Sequence, residues 1–255
     1  MKRALFLTDP HCGSQWGITP PPWQIHFERF HHVYAAQQEM WKHAERMHKK
    51  YRGVDVLAML GDAIDGNGWR SKGTEAITTD REEQTEMARQ FLDPFEAKKI
   101  VMVFGTAYHA GEGEDFERVL AKAMGAEIHS HAFLDIEGTI FDVKHHVGSS
   151  SVPYGKGTPI KKAQVLNALN SLYDEEPLAK VIVRGHAHEY IAVDDEQYLA
   201  IVLPALQSPN TKFGKRICQG RTSWGCVHFK CRKGGYTWAK DIQTLKSTKA
   251  GVIKL

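Results

Sequence analysis

Asp9-Pro10-His11 and His186-Ala187-His188 are two pairs of metal-type ligands, each with one residue between its members. Asp62, His109 and the doublet His145-His146 add further carboxylate and imidazole groups. Carboxylate oxygen and neutral imidazole nitrogen suit Mn, Fe, Zn and similar divalent ions, and no thiolate is needed. Ligands two residues apart on an extended backbone point to one side, so the spacing predicts that a single ion can take both members of a pair. A lone D-x-H or H-x-H arises often by chance, and an isolated histidine is more often an ordinary hydrogen-bonded side chain. Placement gives the set its weight. Each candidate ends an apolar run: ALFLTDPH at Asp9 and His11, VDVLAMLGD at Asp62, IVMVFGTAYH at Thr106 and His109, IFDVKHH at His145 and His146, VIVRGHAH at His186 and His188.

Runs of that kind read as strands buried on both faces, and their ends form the edge where open α/β sheets collect ligands. Five strand ends are therefore expected to converge on one site. Gly61 allows the chain to turn just before Asp62. Between the strands the pattern predicts helices over residues 23–50, 80–93, 114–124 and 159–173. The first follows a loop from Asp9 to Pro22 that Pro20-Pro21-Pro22 should keep non-helical; the second is capped by Thr79 or Asp80 and disturbed at Pro94; the third is stopped by Gly125. A hairpin is expected over Glu137-Gly138, and a basic one over residues 223–230 and 236–242.

The 255 residues, 42% of them hydrophobic, suffice for one large α/β domain spanning 1–255. No apolar run reaches the roughly 20 residues of a membrane span, and the amino terminus meets Asp9 too early for a secretory signal, so a cytoplasmic protein is expected. The four cysteines lack paired spacing and read as buried thiols; Cys226 and Cys231 differ in parity along their strand and should face opposite sides. The net charge of +3 conceals an asymmetry: residues 211–255 carry eleven Lys or Arg against the single acid Asp241. A basic C-terminal hairpin region beside an acidic remainder suits a polyanionic partner, or else a solvated face.

The ordered set Asp9-x-His11, Gly61-Asp62-x-x-Asp65, Gly105, His145-His146 and Gly185-His186-x-His188 resembles the motifs of the calcineurin-like metallophosphoesterase superfamily, over about residues 3–189. The resemblance implies an α/β fold, a four-layer αββα sandwich of two mixed sheets, holding two divalent metal ions. Mn²⁺ is expected first, with Fe, Zn or Ni as alternatives. Carried over by motif, Asp9, His11 and His188 would hold one ion, Asp62 would bridge, and His145 (or His146) and His186 would hold the other. Asp65 is expected to orient a ligand or to close the loop. The third motif departs from the family's Gly-Asn-His: here it reads Gly105-Thr106-Ala107-Tyr108-His109. Thr106 stands where the ligating Asn should, and His109 is displaced by two residues. His109 is then either the general acid that protonates the leaving group or the missing ligand.

The implied reaction is phosphoester hydrolysis by a metal-activated water. The basic tail, with Lys230 and Arg232, together with Arg70 and the loop aromatics Trp16, Trp69, Tyr154 and Trp224, points to a phosphodiesterase or nuclease acting on DNA or RNA. The alternatives are a phosphatase of a small molecule or phosphoprotein, and a metal-binding scaffold without catalysis.

Overall fold

The computed structural model describes residues 1–24, 31–68, 72–111, 115–148, 150, 152–211 and 222–245. In chain order the elements are β1 (Lys2–Leu7), α1 (Pro21–Gln24), α2 (His31–Tyr51), β2 (Val56–Leu60), α3 (Arg81–Leu92), β3 (Lys99–Val103), α4 (Ala107–Ala110), α5 (Phe116–Ala123), β4 (Glu127–His129), β5 (Ala132–Ile136) and β6 (Thr139–Lys144). There follow α6 (Thr158–Leu172), β7 (Val181–Arg184), β8 (Ile191–Asp194), β9 (Leu199–Val202), β10 (Trp224–Arg232) and β11 (Gly235–Gln243).

Two mixed sheets result, ordered β11-β10-β1-β2-β3-β4 and β5-β6-β7-β9-β8. In the first, β1 to β4 run parallel, β10 pairs antiparallel to β1 and β11 antiparallel to β10; in the second, β6, β7 and β9 run parallel between antiparallel edge strands. The carboxyl ends of β1, β2, β3, β6 and β7 are the five that carry the candidate ligands.

The apolar runs of β1 and β2 follow from this layering. Leu5, Leu7, Leu57 and Met59 pack against Met40, Met47, Met87, Phe91 and Leu120 of the helices, while Ala4, Phe6, Ala58 and Leu60 face Phe141, Val143, Val183 and Ile201 of the second sheet. A third cluster, including Ile160, Ile182 and Val202, joins α6 to the far side of that sheet. The layers are helix, sheet, sheet, helix, the αββα sandwich expected. Each fully buried Leu or Phe contributes about 1.5–3 kcal/mol, so both faces of β1 and β2 anchor the site's edge.

Asp80 caps α3, accepting from the backbone N–H of Glu82 and Glu83, and a 3-10 turn at Asp93–Phe95 follows where Pro94 stops the helix. The non-helical expectation for residues 9–22 fails at its end. Pro21 and Pro22 sit in the first turn of α1, where the missing N–H costs nothing. The 23–50 helix is recovered as α1 and α2 on either side of residues 25–30, which lie outside the described set. Cys226 and Cys231 fall in different clusters on opposite faces of β10, as parity predicts. No helix among the described residues is long and apolar enough to cross a membrane.

Candidate metal centre

The ladder between β1 and β2 continues past both strands into the loops. Asp9 N–H donates to the Gly61 carbonyl (3.1 Å), His11 N–H to the Asp62 carbonyl (3.1 Å) and Cys12 N–H to the Ala63 carbonyl (3.0 Å). Two loops are thereby held side by side with their side chains on one spot. Gly61 (φ 76°) makes the turn, and a Cβ there would meet the Gly105 backbone at 2.6 Å. Gly105 in turn lies so close that a Cβ would fall 2.2 Å from Asp62 N and Oδ1. The close approach of β2 and β3 loops thus requires glycine on both sides.

The backbone at the ligands is unusual. Asp9 (φ 54°), His11 (45°), Asp62 (51°), His186 (69°) and His188 (54°) all occupy the left-handed region. Asp and His visit it more readily than most residues, yet clustering of such strain at one edge is a mark of a functional site. The extended geometry expected for Asp9-x-His11 and His186-x-His188 is therefore corrected. Each pair converges through left-handed turns past the strand end, because the chain has already left the sheet.

Three groups of ligand atoms each lie within 4.8 Å of one another: Asp9, His11 and His188; His11, Asp62 and His109; and Asp62, His145 and His186. In the first, His11 Nε2 and His188 Nε2 are 3.2 Å apart, and Asp9 Oδ1 lies 3.1 Å from His188 Nε2. Two imidazole nitrogens and a carboxylate oxygen aimed at one point form a donor set that a divalent cation satisfies. The residues present fit such an ion.

Their own partners fix them. Asp9 Oδ2 accepts from His186 N–H (3.0 Å) and faces the Thr8 hydroxyl (2.7 Å), leaving Oδ1 turned toward His188 Nε2. Asp65 Oδ1 lies 3.2 Å from His11 Nδ1, close enough to orient that ring. His145 Nδ1–H donates to the Leu60 carbonyl (2.6 Å), which directs Nε2 to 3.1 Å from Asp62 Oδ2. His146 is exposed, its ring against that of His186, so His145 is the doublet's inward member.

The third motif is rearranged. Thr106 N–H donates to Asp62 Oδ1 (2.6 Å), and its hydroxyl lies 3.1 and 3.3 Å from the two Asp62 oxygens. Thr106 thus holds the carboxylate through both its N–H and its hydroxyl. His109 sits on α4, a short helix just past β3, with Nδ1–H donating to the Asp65 carbonyl (2.7 Å). Its ring stands 4.5 Å from that of His11. His109 therefore joins the His11 and Asp62 side of the cluster, away from the group containing His145 and His186.

Charge follows the same lines. Burial opposes ionisation throughout, yet the facing histidines hold Asp9 and Asp62 well below the usual carboxylate range. Asp65, Asp9 and Asp62 raise His11 against its burial to about 10; Asp9 and Asp62 raise His145 to about 9. Burial lowers His186 to about 4 with His145 adding to it, and burial with His11 lowers His109.

Glu117 was missed by the sequence reading. It is fully buried on α5 and accepts from Ala63 N–H (2.8 Å) and Gly105 N–H (2.6 Å), the residues flanking Asp62 and Thr106. Burial, then Asp62, raises its carboxyl to about 7. The available signal was an acid on the buried stripe that Leu120 and Ala121 define.

Two expectations for substrate contacts are corrected. Lys230 pairs with Arg3 near the start of β1, and Arg232 lies beyond it at the hairpin tip. At about 3.3 Å per residue, Lys230 is on the order of 20 Å from Asp9, at the opposite end of the sheet. Trp16 and Trp224 are buried, Trp16 with its indole N–H on Glu75 (2.7 Å), so neither can stack a base. Tyr154 is 96% exposed. Trp69, Arg70, Cys218 and the tail cations outside residues 222–245 lie outside the described residues.

No family model and no curated protein matches the chain. Among solved structures it is similar to a mutant of Vps29 from Entamoeba histolytica (9% identity, 95% of this chain and 99% of that one, TM-score 0.49). It is also similar to an archaeal phosphodiesterase (12%, 93% and 99%, TM-score 0.47) and to a predicted phosphoesterase from Streptococcus pneumoniae (10%, 94% and 98%, TM-score 0.39). The chemistry of the site rests on this chain's own side chains.

Proposed function

We propose that this protein is a phosphoesterase working with two divalent cations, with Asp9, His11 and His188 holding one, His145 and His186 the other, and Asp62 common to both. The observation that carries the reading is the sharing of Asp62 and His11 among three ligand groups at one sheet edge. Bound cations would supply Lewis acidity to a phosphoryl oxygen and to the attacking water. The protein's part is positional: Thr106 and Glu117 fix Asp62 and its loop, Asp65 orients His11, and the Leu60 carbonyl sets the His145 tautomer. His109 is the general acid. Its Nδ1–H is committed to the Asp65 carbonyl, which leaves Nε2 as the atom that would pass a proton to a leaving alkoxide.

Two substrate classes compete. A nucleic-acid phosphodiester was the first expectation, but the distance of Lys230 and Arg232 and the burial of Trp16 and Trp224 favour a small phosphoester. The test is a screen of Mn²⁺-loaded protein on a bis-aryl phosphodiester, an aryl phosphomonoester, and labelled single- and double-stranded DNA and RNA, with bound metal measured in parallel. Turnover confined to nucleic acid would reverse the preference. Stoichiometric metal with no turnover of any phosphoester would replace the enzyme by a metal-binding scaffold.

A further inference from the structure

α6 is amphipathic in the wrong sense for a helix that only covers a sheet. Its buried residues are Ile160, Gln164 and Asn167. Asn167 is spent on the chain after the helix, accepting from Ala179 N–H (2.9 Å) and donating to the Pro177 carbonyl (3.0 Å), and Gln164 Oε1 is buried without a partner. The outward face carries Val165 (50% exposed), Leu166 (46%), Leu169 (46%), Leu172 (79%) and Tyr173 (74%). At 100° per residue these five fall on one stripe, with exposed Lys162 at its amino-terminal end. A soluble helix ordinarily turns such a stripe inward.

We infer that this stripe is the self-complementary interface of a homodimer in which α6 packs antiparallel against α6 of a second copy about a two-fold axis near Leu169. Area favours a macromolecular occupant: five such side chains present roughly 500 Å² of apolar surface, near the upper end for a monomer's largest patch and most of the roughly 800 Å² each partner gives a standard interface. Charge selects the second copy. Lys162 stands seven residues before Leu169, and the exposed acids Asp174 and Glu175 stand five and six residues after it. Antiparallel pairing places the lysine of each copy beside the acids of the other, twice over, whereas parallel pairing would set like charges together. The fifteen residues of α6 span about 22 Å, enough for a two-helix seam. α6 covers the outer face of the second sheet, so pairing leaves the metal centre open, and the inference does not depend on the reaction proposed above.

Light scattering on the full chain at micromolar concentration tests it. The expected particle has twice the chain mass of 28.7 kDa. Leu169→Glu, which puts two carboxylates together at the axis, should give the single-chain mass with an unchanged circular dichroism spectrum; if that variant fails to fold, Leu172→Glu at the more exposed position serves. Lys162→Glu should raise the dimer dissociation constant at least tenfold, and adding Glu175→Lys should restore it. A wild-type particle of single-chain mass, as expected if the stripe is covered by another protein, a lipid surface or residues of its own chain, would overturn the inference. So would a dimer indifferent to both leucine variants, or a charge reversal that rescues nothing.

Discussion

The Asp9, His11 and His188 group and the Asp62, His145 and His186 group share an edge but are built differently. The first lies within two short-spaced pairs, and two of its three ligands have orienting partners: Asp65 for His11, Thr8 and the His186 N–H for Asp9. In the second, the position that would supply a carboxamide is Thr106, whose hydroxyl and N–H are spent on Asp62. The imidazole of the same motif, His109, has moved to the His11 side. On the two-cation reading, the altered motif would change two things at once: one cation would have fewer protein ligands, and His109 would stand beside the other. The first group should bind its ion more tightly, and the second should lose its ion first under a chelator.

Asp62→Asn attacks both groups together and should have the largest effect. It removes the charge common to them, so bound metal should fall from two equivalents toward one and hydrolysis by roughly 10³-fold. Elemental analysis and turnover on an aryl phosphodiester check it, and full metal in that variant would dissolve the two-cation reading. His109→Ala separates the roles of the displaced imidazole. As general acid its loss should slow an ester with an alkyl leaving group by about 10² to 10⁴ and nearly spare a nitrophenyl ester; equal losses with a drop in bound metal would make it a ligand.

The pH dependence of metal binding sharpens the same contrast. His11 and His145 are held protonated to about 10 and about 9 in the metal-free protein, so a cation must displace a proton in each group. Affinity should rise about tenfold per pH unit for each proton released, and flatten above those values. The sign for stability is opposite: raised histidine pKa values stabilise the metal-free fold below their unfolded value near 6.5, a contribution lost as pH rises through 9 to 10. Titrations of metal-free protein in two buffers of different protonation enthalpy would count the protons. A smaller effect is expected from Glu117→Gln, which can keep only one of the bonds to Ala63 and Gly105 N–H; metal affinity should fall about 10- to 100-fold, the usual cost of losing a ligand's support. Smallest of all, replacing Lys230 and Arg232 by Ala should leave turnover of a small phosphoester unchanged, and a loss there would bring the hairpin tip back into the site.

The sequence by itself determined the strands and the identity of their terminal residues. Strands buried on both faces are largely apolar, so β1, β2, β3, β6 and β7 stood out, and each led into polar residues with few structural reasons to be there. Caps and turns were legible for the same local reason, as at Asp80, Pro94 and Glu137-Gly138. What tertiary structure alone decided lies in directions and distances. The pairs at Asp9 and His186 converge by left-handed turns that no parity rule encodes. The choice of His145 over His146 and the position of His109 depend on how β2, β3 and β6 abut. Glu117 acquires its role only because α5 packs over two loops distant in sequence. Lys230 and Arg232 share a strand pair with Arg3, and register, a property of pairing across more than two hundred residues, sends them to the far end of the sheet. Charge and periodicity are written residue by residue, whereas the end of a sheet on which a charge falls is set by which strands pair and in which direction.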